Sequence, residues 1–202
     1  MTLFEEIVIF GCGGVGSWLA EYIARSKMAN VISIVDFDIV EEKNLTRQNY
    51  KKSDERTPKV SAMQDRILNI DPEVEVLLYN RRVTSDEDAS TFDRSIPAII
   101  CTDNVVSKRI IAKHFEHFCI VNCDKDFVEI KTFLDESEQK AWDMGGGYTS
   151  EQDIVSNIYA AVGVFSLMKC YGLNFFIRPR KYKFAPERSL RMAGDTNGEN
   201  ES

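Results

Sequence analysis

The sequence predicts an α/β protein built on a doubly wound sheet, mainly parallel, with antiparallel strands in its C-terminal part. Three observations lead there. Apolar runs of strand length alternate with stretches of helical periodicity from residue 4 to residue 123. A glycine cluster, GCGGVGS (11–17), falls between the first strand and the first helix. Finally, the β-rich run FVEIKTFL (127–134) follows CIVNC (119–123) with too little chain for a helical crossover, so it must turn back antiparallel.

The elements follow in order. FEEIVIF (4–10) reads as a strand, and VGSWLAEYIARS (15–26) places Leu19, Tyr22 and Ile23 at helical spacing. VISIVDF (31–37) is the second strand. In TPKVSAMQDRILNI (57–70), Val60, Met63, Ile67 and Ile70 share one helical face, with Thr57 expected as N-cap and Pro58 at the first helical position. EVEVLLY (73–79) alternates as a strand does, and IPAIICT (96–102) is continuously apolar, as a strand buried on both faces would be. VSKRIIAKHFEHF (106–118) is helical, followed by the strand CIVNC. Residues 135–153 lack periodicity, contain Gly145–Gly147 in a row and predict a long mobile or functional loop. An apolar helix over 154–172 and an edge strand over 174–184, restricted by Pro179, complete a single domain spanning 1–184. The polar remainder, 185–202, is expected to be disordered.

Composition narrows the function classes. Charged residues at 28% and apolar residues at 44% are ordinary for a globular protein. A net charge of −7 argues against nucleic acid as the main partner, because such binding draws on Lys and Arg neutralising phosphates. No apolar run reaches the roughly 20 residues of a membrane span and the N-terminus lacks signal-peptide features, so the expected compartment is the cytoplasm, without membrane association. Cys12, Cys101, Cys119, Cys123 and Cys170 form no C-x-x-C pair, so no zinc site or disulfide framework is expected.

Chemistry concentrates in four short stretches. Gly11, Gly13 and Gly16, with Gly14 among them, match G-x-G-x-x-G between strand and helix, where the backbone approaches a phosphate and the helix N-terminus offers free N–H groups. This defines a Rossmann-like nucleotide loop. Asp36 lies 36 − 16 = 20 residues beyond the last glycine, where a carboxylate accepts hydrogen bonds from ribose hydroxyls. To this point a dinucleotide fits as well as ATP. The following segment, DIVEEKNLTRQ (38–48), and Lys59 add Arg47 and Lys59 as cations able to offset a triphosphate. At the start of a helix a lysine opposes the dipole by about 0.3 to 1 kcal/mol, and an anion bound there would reverse the sign of that contribution. Asp103, in CTDN (101–104) at the carboxyl end of a strand, fits either a Mg²⁺ ligand beside phosphates or the N-cap of the next helix.

GCGGVGS, VDFDIVEEKNLTRQ, TPK and CTDN, in this order and at these intervals, resemble the ThiF/MoeB/HesA adenylyltransferases that activate ubiquitin-like and sulfur-carrier proteins. The resemblance runs from residue 7 to about 134. It implies an enzyme that uses ATP and Mg²⁺ to convert the C-terminal carboxylate of such a carrier into an acyl-adenylate, working as a homodimer. It further implies that Gly11, Gly13, Gly14 and Gly16 border the nucleotide, that Asp36 holds the ribose, that Asn44, Arg47 and Lys59 hold phosphates, that Asp38 and Gln48 also bind the nucleotide, and that Asp103 binds Mg²⁺. Arg47, Lys59 and Asp103 are the residues expected to carry catalysis. Adenylation of a small-molecule or peptide carboxylate, an NAD-binding oxidoreductase and a non-catalytic nucleotide-binding relative are the alternatives.

The sequence departs from that pattern in three places. Many relatives send an arginine from an N-terminal helix into a partner's site, whereas the first strand here begins at Phe4, so that arginine is expected to be missing or to come from elsewhere. Paired zinc cysteines, frequent among relatives, do not occur. Residues 124–169 hold no cysteine that could form a thioester in the long loop, which leaves Cys123 as the one thiol worth testing as a nucleophile.

Overall fold

The computed structural model describes residues 2–125, 127–133 and 153–184. The expected loop over 135–153, apart from Asp153, and the tail over 185–202 lie outside these residues. Strands β1 (Phe4–Phe10), β2 (Ala29–Val35), β3 (Glu75–Tyr79), β4 (Ala98–Ile100), β5 (Phe118–Cys123), β6 (Val128–Lys131) and β7 (Lys181–Phe184) form one sheet of order β3-β2-β1-β4-β5-β6-β7. β1 to β5 pair in parallel, while β6 runs antiparallel to β5 and to β7, as the short connection after CIVNC requires.

The helices are α1 (Gly16–Arg25), α2 (Lys59–Ile70), α3 (Asp86–Ser90), α4 (Val105–His114), α5 (Ile154–Tyr171) and the short α6 (Asn174–Ile177). Side chains alternate across β1, so Ile7 and Ile9 join the core made with Leu19, Ile23, Met63, Ile67, Ala160 and Val164. Val8 and Phe10 face the other way, toward Ala89, Ile110 and Ile111. With α1, α2 and α5 on one face and α3 and α4 on the other, the central strands are buried on both sides, which is why they read as continuous apolar runs.

Three local expectations change. Thr57 does not cap α2. Pro58 occupies the cap position, and the chain before it pairs with the loop after β2, with Val40 N donating to Thr57 O at 2.9 Å and Ile39 bridging Pro58. Lys59 is therefore the first helical residue. The second change is α3, absent from the hydrophobic pattern because DEDAS has no apolar periodicity. Its basis is a capping box in which Ser85 Oγ accepts from Asp88 N at 3.1 Å and the Asp88 carboxylate accepts from Ser85 N at 3.0 Å. The third is the strand expected over 174–184, which divides into α6 and a shorter β7. Phe175 and Phe176 are both buried, which a strand with alternating faces does not achieve on a one-sided edge, and Phe176 packs edge-on against Phe4 at 5.9 Å.

By length and composition alone α5 could cross a membrane. Here Ser156, Asn157, Ala160, Ala161, Val164 and Met168 are buried, and the helix packs on α1, β5 and β6.

Candidate nucleotide site

The carboxyl ends of β1, β2, β3 and β4 open into one cleft of about 760 Å³, where the strand order reverses direction from β1. Ten of the eleven residues singled out from sequence line it: Gly11, Gly13, Gly14, Asp36, Asp38, Asn44, Arg47, Gln48, Lys59 and Asp103. Gly16 is the exception. It starts α1 directly behind the loop, packed on the carbonyl of Gly11.

The turn out of β1 depends on Gly11. Its φ of +93° is in the region that favours glycine, and a β-carbon there would sit 2.8 Å from Thr102 N. This lets the glycine loop lie directly against the end of β4 and the Thr102–Asp103 segment. Asp36 holds the loop from the other side, since its Oδ2 accepts from Cys12 N at 2.6 Å and its Oδ1 from Asp38 N at 2.8 Å. Each carboxylate oxygen keeps a second lone pair, so a hydroxyl donor can still be received. Burial pushes the Asp36 carboxyl up from its ordinary value, against the pull of Lys59 and the two N–H donors.

The segment carrying Asn44, Arg47 and Gln48 is fastened to α1. Asn49 N donates to Ser17 Oγ at 3.0 Å, Asn49 Nδ2 to Glu21 Oε2 at 2.6 Å, and Tyr50 Oη to Cys12 O at 2.6 Å. The backbone carbonyl of Arg47 accepts from Asn157 Nδ2 of α5 at 3.1 Å and from Trp18 Nε1 at 3.4 Å. Asn157 was not recognisable from sequence as part of the site. Its one signal is an amide inside an otherwise apolar helix. Asn44 Oδ1 accepts from Glu41 N at 2.9 Å and so shapes the turn as well as lining the cleft.

Lys59, only 5% exposed, places Nζ 3.0 Å from Asp38 Oδ2. A buried cation at a helix N-terminus is thus offset by a carboxylate that itself remains half exposed at the cleft. Gln48 Oε1 is buried with no hydrogen-bond partner among the described residues. Lys43, Arg81 and Arg82 join Arg47 and Lys59 on the lining, so the cleft sets five cations against the four carboxylates of Asp36, Asp38, Glu41 and Asp103 in a chain of net charge −7. That concentration, with an orphaned acceptor and a glycine cradle beside a helix N-terminus, fits a polyphosphate nucleotide. Arg81 and Arg82 were not singled out from the sequence, although NRR (80–82) directly follows the strand EVLLY and strand ends are where such sheets place ligands.

Asp103 is exposed at the end of β4 and does not cap α4. Asn104 does, its Oδ1 accepting from Ser107 N at 2.9 Å. Cys123 is buried against Asn157, and burial pushes its thiol up to about 11, which holds it protonated and unreactive at neutral pH. The two histidines take no part in the cleft.

Fold and site together define a Rossmann-like domain whose sheet ends in antiparallel strands and whose cleft suits a nucleotide. The chain belongs to the ThiF family, whose sequence model matches residues 3–131. It is 30% identical over 102 residues to ubiquitin-like modifier-activating enzyme 5 of Caenorhabditis elegans, an alignment covering 50% of this chain and 24% of that protein. It is 33% identical over 107 residues to tRNA threonylcarbamoyladenosine dehydratase of Bacillus subtilis, covering 52% and 42%. It is also 27% identical over 110 residues to the sulfur carrier protein ThiS adenylyltransferase of Escherichia coli, covering 54% and 43%. The chain therefore spans less than half the length of these relatives. Among solved structures, E. coli MccB with ATP shares the fold at a TM-score of 0.68 and 15% identity, covering 90% of this chain and 63% of that one.

Proposed function

We propose that the chain is an ATP-dependent adenylyltransferase that activates the C-terminal carboxylate of a small ubiquitin-like or sulfur-carrier protein, in the cytoplasm. The observation that carries this reading is the convergence of the glycine loop, Asp36, Arg47, Gln48, Lys59 and Asp103 on one cleft in a ThiF-family fold. In the reaction a carboxylate oxygen of the carrier forms a bond to the α-phosphorus, the bond from that phosphorus to the bridging oxygen breaks, and pyrophosphate leaves. No protein nucleophile is needed. Asp36 would orient the ribose, the N–H groups of the glycine loop and the start of α1 would face the phosphates, and Arg47 and Lys59 would offset charge on the departing pyrophosphate. Mg²⁺ would be held by Asp103 together with phosphate oxygens, an ion that commonly uses only one or two carboxylates, and it would supply further charge neutralisation there.

The test is exchange of labelled pyrophosphate into ATP, run with carrier proteins ending in Gly-Gly. Exchange is expected only when both carrier and Mg²⁺ are present. Absence of exchange with every carrier, together with absence of ATP binding, would overturn the reading. A second reading, activation of a small-molecule or peptide carboxylate, is supported by the likeness to the B. subtilis dehydratase, a relative not named for a carrier protein. Exchange that such carboxylates sustain without any carrier would select it.

We also infer a homodimer. Ile154, Val155 and Val162 are exposed apolar residues on α5, and exposed apolar surface is commonly buried against a second copy. Sedimentation at micromolar protein should give twice the 23.0 kDa chain mass, and a monomer there would refute it.

A further inference from the structure

The segment that brings Arg47 and Gln48 to the cleft has little regular structure of its own, a single 3₁₀ turn at Glu42–Asn44 followed by turns and bends. Ordering such a chain costs backbone entropy, so its place in the cleft depends on what fastens it. One carboxylate stands behind that fastening. Glu21, in the second turn of α1, does not line the cleft, and its side chain is only 12% exposed. Its Oε2 accepts from Asn49 Nδ2 at 2.6 Å and from Arg66 Nη1 at 3.2 Å, and its Oε1 accepts from Arg25 Nε at 2.7 Å.

The donors belong to different parts of the fold. Asn49 lies two residues past Arg47, on the segment itself. Arg66 lies about two turns along α2 from Lys59, the residue that begins that helix. Arg25 sits on the same helix as Glu21 and faces solvent. Burial pushes the Glu21 carboxyl up, but the donors of Asn49, Arg25 and Arg66 more than reverse this and hold it below its ordinary value, ionised at neutral pH. A position that needed only packing would take an apolar side chain, as α1 does at Leu19, Ala20 and Ile23. A charged acceptor shared between two other elements instead fixes their separation.

We propose that Glu21 is a positioning residue that sets Arg47 and Lys59 relative to one another, through Asn49 on one side and Arg66 on the other. The proposal rests on the nucleotide reading above, which assigns these two cations to the phosphates. It adds a group outside the cleft on which their spacing depends.

Calorimetric titration of the full chain with ATP and with AMP, each with magnesium, tests it. AMP lacks the outer phosphates that the two cations serve, so it reports on the rest of the cleft. Glu21→Gln removes the charge and turns an N–H group toward the donors. It is expected to lose about tenfold in ATP affinity with AMP affinity unchanged. Asn49→Ala cuts the link to the segment but leaves Glu21 with Arg66, and it should show the same selective loss of ATP. A thermal melt checks folding, and Asn49→Ala decides the question should Glu21→Gln fail to fold. Arg25→Ala takes an ion pair from the same carboxylate on its solvent side, and should bind both nucleotides as the wild type does. In an Arg47→Ala background, Glu21→Gln should cost less than it costs alone, because one of the cations it positions is gone. Glu21 loses this role if the folded Glu21→Gln and Asn49→Ala proteins bind ATP as the wild type does, if they lose ATP and AMP in parallel, if Arg25→Ala weakens ATP equally, or if the Glu21 and Arg47 losses simply multiply. A wild type that binds neither nucleotide overturns the nucleotide reading and the positioning role with it.

Discussion

Asp103→Ala is expected to lower carrier-dependent pyrophosphate exchange by at least about 100-fold while shifting the melting temperature by no more than about 2 °C. The sequence allowed two roles for this carboxylate, a Mg²⁺ ligand and a helix cap, and they predict opposite results. The structure removes the cap. Asn104 Oδ1 receives the Ser107 N–H, and Asp103 stands exposed on the cleft one residue earlier. The stability cost should therefore follow Asn104→Ala, about 1 kcal/mol or some 2 to 4 °C. Activity should follow Asp103→Ala, because the lost group is charged and lines the cleft where the phosphates are proposed to bind. Exchange that survives in Asp103→Ala at wild-type rate would remove Asp103 from the metal and from catalysis.

What could be read from the residues depended on how local the determinant was. β1, β2, β4 and β5 were visible because strands buried on both faces are largely apolar, the edge strand β3 because it alternates, and the reversal into β6 because chain length alone forbids a crossover. The glycine loop and Asp36 were visible because their spacing follows from the geometry of one strand–helix–strand unit. Arg81, Arg82 and Asn157 were not, since each acts only through long-range packing: the arginines reach the cleft through the parallel pairing of β3 with β2, and the asparagine braces the Arg47 carbonyl behind it through α5 crossing onto α1. Thr57 and Pro58 have the residue types of a helix start in the usual order. The bridge from Pro58 to Ile39 moved that start by one residue and brought Lys59 onto Asp38. A tertiary contact outweighed a capping preference of about 1 kcal/mol.

The glycine loop gives the largest expected effect on stability, and its glycines should not be equivalent. A β-carbon at Gly16 would collide with the carbonyl oxygen of Gly11, a backbone atom of a turn whose own φ is +93°. No side chain can swing aside, so Gly16→Ala is expected to cost about 3 kcal/mol, some 6 to 12 °C in melting temperature. A β-carbon at Gly14 instead meets only the amide end of Asn157, which is fully buried and hydrogen-bonded to Arg47 O. Gly14→Ala should therefore displace that amide, release the Arg47 carbonyl and weaken ATP as well as the fold. Its cost in stability should shrink in an Asn157→Ala background, a coupling of about 0.5 to 3 kcal/mol, whereas Gly16→Ala should gain nothing from the same second change. Thermal melts of the three single and two double variants decide it. An unchanged Gly14→Ala penalty in that background would mean that α5 does not brace the loop, and a Gly16→Ala protein melting with the wild type would mean that the turn can open without loss.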